Sequence, residues 1–354
     1  MPQESKSRIT GEQSTDENAN AGNADEHGLT TDKDGGTSRM DLGFSKLKIR
    51  NKGNSRMIMA QILLLVTAIA WGTTFIVTKG VLDVIDPIKL LAYRFLTGFI
   101  ALCPVCVSRR RQLKGCLRQG FTLGVVLGLA FILQTYGLKY ASVSMSAFLS
   151  GLYVVMVAVI EFGSSAKKPA PSSIVGILSA SLGLIVLSWN GKLTLCFGDV
   201  LVLLGALFFA LHVILTGRIV KQADPYVITV IQFATVSVIC LVLMGFARAP
   251  LSLPKASWLG VGYLGVVATA IAFLCQTVAQ RYASSVHTAV ILTGEPLIAT
   301  AIVLVTGFEP ITPRIILGGA LIVVGMLCSV KAEKTEMCQK PEPSTVGAGA
   351  SMIQ

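Results

Sequence analysis

The sequence predicts an all-α integral membrane protein, with ten transmembrane helices in two inverted five-helix repeats. Three observations support this fold class: charged residues are scarce, the apolar stretches are long, and the two halves of the chain resemble each other. Of the 354 residues, 14% are charged, whereas a soluble domain carries about 25%. Only 25 of the 49 charged residues fall within 57–330, too few to cover a soluble surface.

The N-terminal segment, residues 1–56, is predicted to be a disordered tail because it is polar and holds few large apolar residues. Five basic residues and no acidic ones lie between Lys46 and Arg56, immediately before the first apolar stretch. This pattern favours a cytoplasmic N-terminus. An even number of spans then returns the C-terminal tail, 331–354, to the same side.

The apolar stretches are long enough to cross the hydrocarbon core of a bilayer, and lipid requires each of them to be helical. The first predicted repeat covers 57–190 and the second covers 196–330. The predicted spans lie near 57–78, 88–107, 119–138, 142–162, 172–189, 196–216, 226–246, 256–278, 285–306 and 312–330.

The net charge of +11 does not indicate a nucleic-acid partner. Both tails are balanced in charge, so the excess lies in the membrane part, where loop Lys and Arg set topology. With the N-terminus inside, the inner loops hold ten basic residues and the outer loops seven, and Arg109–Arg118 dominates this bias. A plasma (inner) membrane location is the default expectation, with the lipid bilayer and a small-molecule substrate as partners.

The internal repeat is visible in matched motifs. Trp71–Thr78 corresponds to Phe209–Thr216, and in each copy an Asp-Pro pair follows the threonine by eight residues. Later segments share Gln-Thr and Tyr-Ala-Ser. Since five spans is an odd number, the second copy must enter the membrane from the opposite side. Two inverted halves favour transport by alternating access, although some channels also carry this symmetry. The later matched segments are 134–142 and 276–284.

These motifs together resemble the EamA family of the drug/metabolite transporter (DMT) superfamily. The resemblance rests on the five-plus-five spans, Trp71-Gly-Thr-Thr-Phe, Arg94-Phe95, the Tyr-Ala-Ser turns and Gly294-Glu295-Pro296, and it covers roughly residues 60–330. It implies a secondary transporter of small organic metabolites, an exporter of amino-acid-like or amphiphilic solutes. Many members carry proline in span four, where this chain has Tyr153-Val154. We therefore expect the two halves to bend differently.

Two charged residues are the main candidates for substrate binding or translocation. Arg94 lies deep in span two, where an arginine costs about 3 kcal/mol to insert and faces a cavity or a partner. It is interpreted either as an anchor for a carboxylate or as a structural tie. Glu295 precedes Pro296, which interrupts a helix. Its carboxylate is interpreted as a site for a proton or a substrate amine, or else as a cap of the break or a partner of Arg94.

Five further residues are candidate cavity residues. Gln134 and Gln276 are equivalent by repeat and suit a binding site between the halves, or hydrogen bonds between helices. Trp71 lies too deep for an interfacial tryptophan, so it is interpreted as a cavity wall or as ordinary packing. Tyr153 is a further cavity candidate. His212 is interpreted as a titratable group or a structural one.

His287 carries the same pair of interpretations as His212, and recurrent glycines allow close helix packing or a homodimer face. No catalytic constellation, metal site or nucleotide motif is present, so no cofactor is expected and any coupling draws on protons or another gradient. Two alternatives stay open: an uncoupled facilitator or importer, and a non-transporting scaffold or sensor that uses its tails. A membrane enzyme is less favoured than either.

Overall fold

The computed structural model describes residues 55–164, 169–188, 196–248, 250–305 and 312–339. Within these ranges the regular structure is entirely helical, as the fold-class prediction requires. The predicted N-terminal tail lies outside the described residues up to position 54. The predicted C-terminal tail lies outside them from position 340, while residues 331–339 continue the last helix.

The helices of the described residues are numbered in chain order. They are α1 (55–72), α2 (Thr74–Leu82), α3 (Pro87–Ser108), α4 (Leu113–Tyr140), α5 (Val143–Gly151), α6 (Tyr153–Ser164), α7 (Pro171–Ser188), α8 (Phe197–Ile219), α9 (Pro225–Phe246), α10 (Trp258–Gly265), α11 (Ala272–Ala279), α12 (Ser285–Leu292), α13 (Gly294–Val305) and α14 (Pro313–Gln339). A π-helical segment, Val266–Ile271, joins α10 to α11.

These helices account for the ten predicted spans. Four spans are interrupted: α1 with α2, α5 with α6, α10 with α11, and α12 with α13. In the described part of the chain, nine stretches are long and apolar enough to cross a membrane, and the fifth span is a shorter apolar helix, Pro171–Leu187. Many apolar side chains point outward from the bundle, such as Ile100 at 60% exposure and Leu178 at 63%. A lipid-facing surface requires this pattern.

The repeated turn motifs form the same local structure in both halves. The Ser142 hydroxyl accepts a hydrogen bond from the Met145 amide, and the Ser284 hydroxyl accepts one from the His287 amide, each at 3.2 Å. Serine at this position satisfies an amide that the first helical turn leaves free. The repeated Tyr-Ala-Ser therefore marks the starts of α5 and α12.

Spans four and nine are interrupted at equivalent places, between α5 and α6 and between α12 and α13. In span nine Pro296 explains the interruption, because proline removes a backbone donor. Span four is interrupted without a proline, beside Tyr153. The two halves differ in proline at this position, yet both spans are interrupted.

The glycines singled out in the sequence bring helices of the same molecule together. A β-carbon on Gly183 of α7 would lie 2.7 Å from the Gly318 carbonyl oxygen of α14. In α4, a β-carbon on Gly124 would lie 2.5 Å from Thr235 of α9. Equivalent helices of the two halves thus pack on each other, α7 against α14, and α3 also packs against α9. These glycines make contacts within the chain, and a homodimer face stays a prediction.

Candidate functional site

A cavity of about 60 Å³ lies among the interrupted helices, and all seven predicted site residues line it. Small-molecule sites measure about 300–1,000 Å³, so the cavity must widen before it can hold an organic solute. The structure thus brings together side chains from both halves of the chain. The seven residues are Trp71, Arg94, Gln134, Tyr153, His212, Gln276 and Glu295.

Aromatic side chains form much of the cavity wall. The ring centroids of Trp71 and Phe273 lie 4.8 Å apart, and Phe131 meets Phe209 edge to face at 5.1 Å. Phe131 and Phe273 are 5.8 Å apart. Tilted and edge-to-face contacts of this kind are the favoured geometries, so the rings support one another. The wall therefore presents an apolar surface to the cavity.

The π-helical segment provides anchoring points for two predicted site residues. The Trp71 indole Nε1–H donates to the Ala268 carbonyl oxygen at 2.9 Å, and Arg94 Nε donates to the Thr269 hydroxyl at 2.8 Å. Thr67 of α1 also donates to the Ala272 carbonyl at 3.0 Å. A π turn disrupts the regular hydrogen-bond ladder and is frequent at functional sites. Here it fixes the orientation of Trp71 and Arg94 toward the cavity.

Arg94 is buried, with 4% of its surface exposed, and its guanidinium carbon lies 4.6 Å from the Phe131 ring centroid. Only Nε has a hydrogen-bond partner among the described residues. The structural tie to Thr269 therefore exists, yet the two terminal nitrogens remain available on the cavity side. A guanidinium binds a carboxylate through two parallel hydrogen bonds.

Glu295 lies at the start of α13 and lines the same cavity. It interacts electrostatically with Arg94, but no nitrogen–oxygen contact within 4.0 Å joins the two in the described structure. Its carboxylate accepts no hydrogen bond from the described residues, so it does not cap the break. One cavity therefore holds a guanidinium and a carboxyl group that are not in direct contact.

The two equivalent glutamines differ in their partners. Gln134 Nε2 donates to the Ser150 hydroxyl at 2.9 Å, across to α5. Gln276 Nε2 donates to Gln280 at 3.3 Å within its own part of the bundle, and the buried Gln276 Oε1 has no partner among the residues that the structure describes. Leaving a buried polar atom unpaired is costly. Gln276 thus offers an acceptor beside the cavity.

The histidines separate into two environments. His212 lines the cavity and its Nε2 lies 2.9 Å from Gln232 Oε1, where Gln232 is the repeat equivalent of Arg94. His287 is not part of the cavity. Its Nδ1 lies 2.8 Å from the Ser329 hydroxyl of α14, which indicates a packing role. Tyr153 reaches the cavity from α6, and its hydroxyl donates to the Ala289 carbonyl at 3.4 Å.

Sequence reasoning did not identify three of the aromatic wall residues or the tie between Arg94 and Thr269. Phe209 was recognisable, because it is the repeat equivalent of Trp71. Phe131 and Phe273 look like ordinary apolar helix residues, and the π segment has no sequence signature. Across the described ranges, no three His, Cys, Asp or Glu side chains lie close enough to hold a metal ion.

Comparisons with known proteins identify the architecture. The family model described as "EamA-like transporter family" matches twice, at residues 58–189 and 196–331. An uncharacterized transporter of Archaeoglobus fulgidus is 25% identical over 86% of this chain and 97% of its own length. The uncharacterized transporter YyaM of Bacillus subtilis is 23% identical over 75% of this chain and 92% of its own.

A solved crystal structure has a TM-score of 0.64 with this chain at 18% identity, covering 79% of this chain and 99% of that structure, which shows the shared fold. The relatives point to a membrane transporter rather than an enzyme. Both matches to the family model together span nearly all of the described helices. The chain therefore belongs to the EamA-like transporter family and is a multi-pass integral membrane protein with two repeats.

Proposed function

We propose that this transporter exports small zwitterionic metabolites with an apolar side chain, chemically similar to apolar amino acids, by alternating access. The observation that carries the proposal is the presence of Arg94 and Glu295 in one aromatic-walled cavity without a direct ion pair between them. Arg94 binds the substrate carboxylate. Glu295 binds the substrate ammonium, and the rings around Phe131 hold the apolar side chain.

Electrostatics favours a substrate with both charges over one with a single charge. Two unit charges 4 Å apart attract by about 4 kcal/mol at an effective dielectric constant of 20, before desolvation is counted. A zwitterion places an opposite charge against each cavity group. A singly charged analogue leaves the other cavity group without its substrate partner, and an unpaired charge in a low-dielectric site is unfavourable.

Proton coupling follows from the same carboxylate. Glu295 accepts either a proton or the substrate ammonium, so the two compete, and a proton entering down its gradient drives substrate efflux against the substrate gradient. The other charged or titratable groups that line the cavity are Arg94, Tyr153 and His212. The inverted arrangement of the two repeats supplies the two access states. We assign the protein to the plasma (inner) membrane with both termini in the cytoplasm.

The test uses purified protein in liposomes and compares phenylalanine with two analogues that each lack one charged group. Phenethylamine lacks the carboxylate, and 3-phenylpropionate lacks the ammonium. We expect phenylalanine to be transported and each analogue to be about 10- to 150-fold poorer, the range given by a charge-assisted hydrogen bond of about 1.5–3 kcal/mol. Leucine and its corresponding analogues test whether the side chain must be aromatic.

Two variants test which charged group of the substrate Arg94 and Glu295 each bind. Arg94→Gln, which introduces the residue of the equivalent position 232, is expected to abolish the preference for phenylalanine over phenethylamine. Glu295→Gln is expected to abolish both the preference over 3-phenylpropionate and the pH-driven uphill flux. Symmetric, pH-independent exchange by the unmodified protein would instead identify an uncoupled facilitator. Transport lost together with the folded protein would make Arg94 a structural residue.

The non-transporting alternative makes a different prediction about the tail. A scaffold or sensor that uses the N-terminal segment loses function when residues 1–41 are deleted, whereas a carrier retains its flux. Equal flux of the shortened and full chains in liposomes would therefore support the carrier.

A further inference from the structure

A second, apolar groove of about 850 Å³ lies on the outside of the bundle between α3, α4 and α9. It is separate from the central cavity and shares none of its lining residues. Nearly all of its lining is apolar, including Phe99 and Val107 of α3, Phe121 of α4 and Val238 of α9. Val107 and Val238 are strongly exposed, at 64% and 58%.

The groove exists because two helices pack on a third and much less closely on each other. Gly120 and Gly124 let α4 approach α9, and a β-carbon on Gly120 would lie 2.7 Å from Ile231. α3 packs along the other side of α9, while its contact with α4 is slight. α9 is therefore the floor of the groove, and α3 and α4 are its walls.

One end of the groove is basic. Arg110 and Arg118 line it, and within the described ranges neither guanidinium has a hydrogen bond or an ion pair. Arg109, beside them in sequence, is different, because it pairs with Asp224 and lies 4.2 Å from the Tyr226 ring centroid. The groove thus combines an apolar surface on the outside of the bundle with two arginines at one end, neither of which has an anionic partner within the described ranges.

We propose that this groove binds one anionic phospholipid. The phosphate of the headgroup accepts hydrogen bonds from Arg110 and Arg118, and an acyl chain lies between Phe121 and Val238. Guanidinium groups suit phosphate because their donors match its geometry. Basic pockets between membrane helices bind anionic headgroups on this physical basis. Charge complementarity favours an anionic lipid over a zwitterionic one, whose own cation opposes the two arginines.

Occupation of the groove links two helices that contribute to the central cavity. Arg94 lies on α3 and Gln134 lies on α4. A lipid that contacts both walls fills the space left by their slight contact. We therefore expect the bound lipid to stabilise the helical bundle, independently of which solute the transporter carries.

The experiment titrates the purified full chain in detergent with dioleoylphosphatidylglycerol or dioleoylphosphatidylcholine, which have the same acyl chains. Bound lipid is counted by native mass spectrometry, and unfolding temperature is measured in parallel. We expect the anionic lipid to bind about tenfold more tightly or better, as two charge-assisted hydrogen bonds allow. Equal binding of the two lipids, or an equal thermal response to sn-glycerol 3-phosphate alone, would overturn the proposal.

Matched variants separate the groove from general charge effects. Arg110→Gln with Arg118→Gln is expected to remove the preference for the anionic lipid. Arg111→Gln with Lys114→Gln removes the same charge from exposed positions outside the groove and is expected to retain it. If both double variants lose the preference equally, the proposed site is wrong and the attraction is unspecific.

A second pair tests the apolar part without changing charge. Val238→Trp fills the groove and is expected to weaken binding of both lipids. Val242→Trp, also on exposed α9 surface but outside the groove, is expected to leave binding unchanged. Unaltered binding in Val238→Trp would show that no acyl chain occupies the groove.

Discussion

The contact between α7 and α14 gives a prediction whose size follows from interatomic distances. A β-carbon on Gly183 would lie 2.7 Å from the Gly318 carbonyl oxygen and 2.8 Å from the Ile322 amide nitrogen. Both atoms belong to the backbone, so the helices must separate by about 0.7 Å to reach ordinary van der Waals contact. We expect Gly183→Ala to destabilise the protein by about 1–3 kcal/mol, the usual cost of overpacking.

Two other glycines provide a graded control series. A β-carbon on Gly262 of α10 meets no atom of the described residues within 4 Å, so Gly262→Ala is expected to be neutral or to gain about 0.5–1 kcal/mol from better helix propensity. Gly176 is intermediate, because its β-carbon would lie 3.1 Å from the Gly325 carbonyl oxygen. The expected order of unfolding temperature is Gly262→Ala, then Gly176→Ala, then Gly183→Ala.

The assay is thermal unfolding of the purified protein in one detergent, with the oligomeric state measured by light scattering. If Gly183→Ala unfolds at the same temperature as Gly262→Ala, the reasoning about the α7–α14 contact fails. If Gly183→Ala instead changes the oligomeric state with little effect on unfolding, the glycines serve a homodimer face. The two outcomes separate packing within the chain from packing between chains.

Three further predictions concern caps, the π segment and pH. Ser142→Ala and Ser284→Ala are each expected to cost about 0.5–2 kcal/mol of stability in thermal unfolding. Ser284→Ala should cost more, because this hydroxyl also donates to Glu333 at 2.6 Å; equal losses would contradict that contact. Trp71→Phe keeps a ring but removes the donor to Ala268, so it should lower stability by about 1–3 kcal/mol and slow transport, whereas unchanged flux and stability would refute this role. His212→Gln should retain pH-dependent transport while Glu295→Gln loses it, and the reverse result in liposome flux would move proton coupling to the histidine.

Much of the fold was predictable because its determinants are local. Span length follows from hydropathy, and the starts of α5 and α12 follow from Ser142 and Ser284 as caps. The tenth span was predicted to be too short. Its helix, α14, continues to Gln339 through a polar segment that hydropathy does not assign to a span. The third span was predicted to begin near residue 119, whereas its helix, α4, begins at Leu113 among basic residues. Hydropathy locates the apolar part of a helix and not its ends.

The cavity was predictable in part for a different reason. Charged and amide side chains are expensive inside a bundle, so the sequence alone singles out Arg94, Glu295 and Gln276. Phe131 and Phe273 carry no such free-energy cost inside the bundle, so composition does not distinguish them from lipid-facing residues. The tie from Arg94 to Thr269 depends on the π segment, which arises from packing between distant helices. Tertiary contacts of this kind have no local determinant.

The asymmetry between the two halves connects the cavity to transport. The position equivalent to Arg94 is Gln232, and the position equivalent to Glu295 is Tyr153, so each repeat contributes one charge and leaves its counterpart uncharged. In the alternating access proposed above, one half rocks against the other, and the separation of Arg94 and Glu295 changes because they belong to different repeats. A zwitterion bridging both groups binds more tightly to the state in which their separation matches its own. A ligand shifts a conformational equilibrium only through such a difference in affinity. Under the proposed function, placing the two charges in different repeats therefore lets the substrate itself bias the change of access.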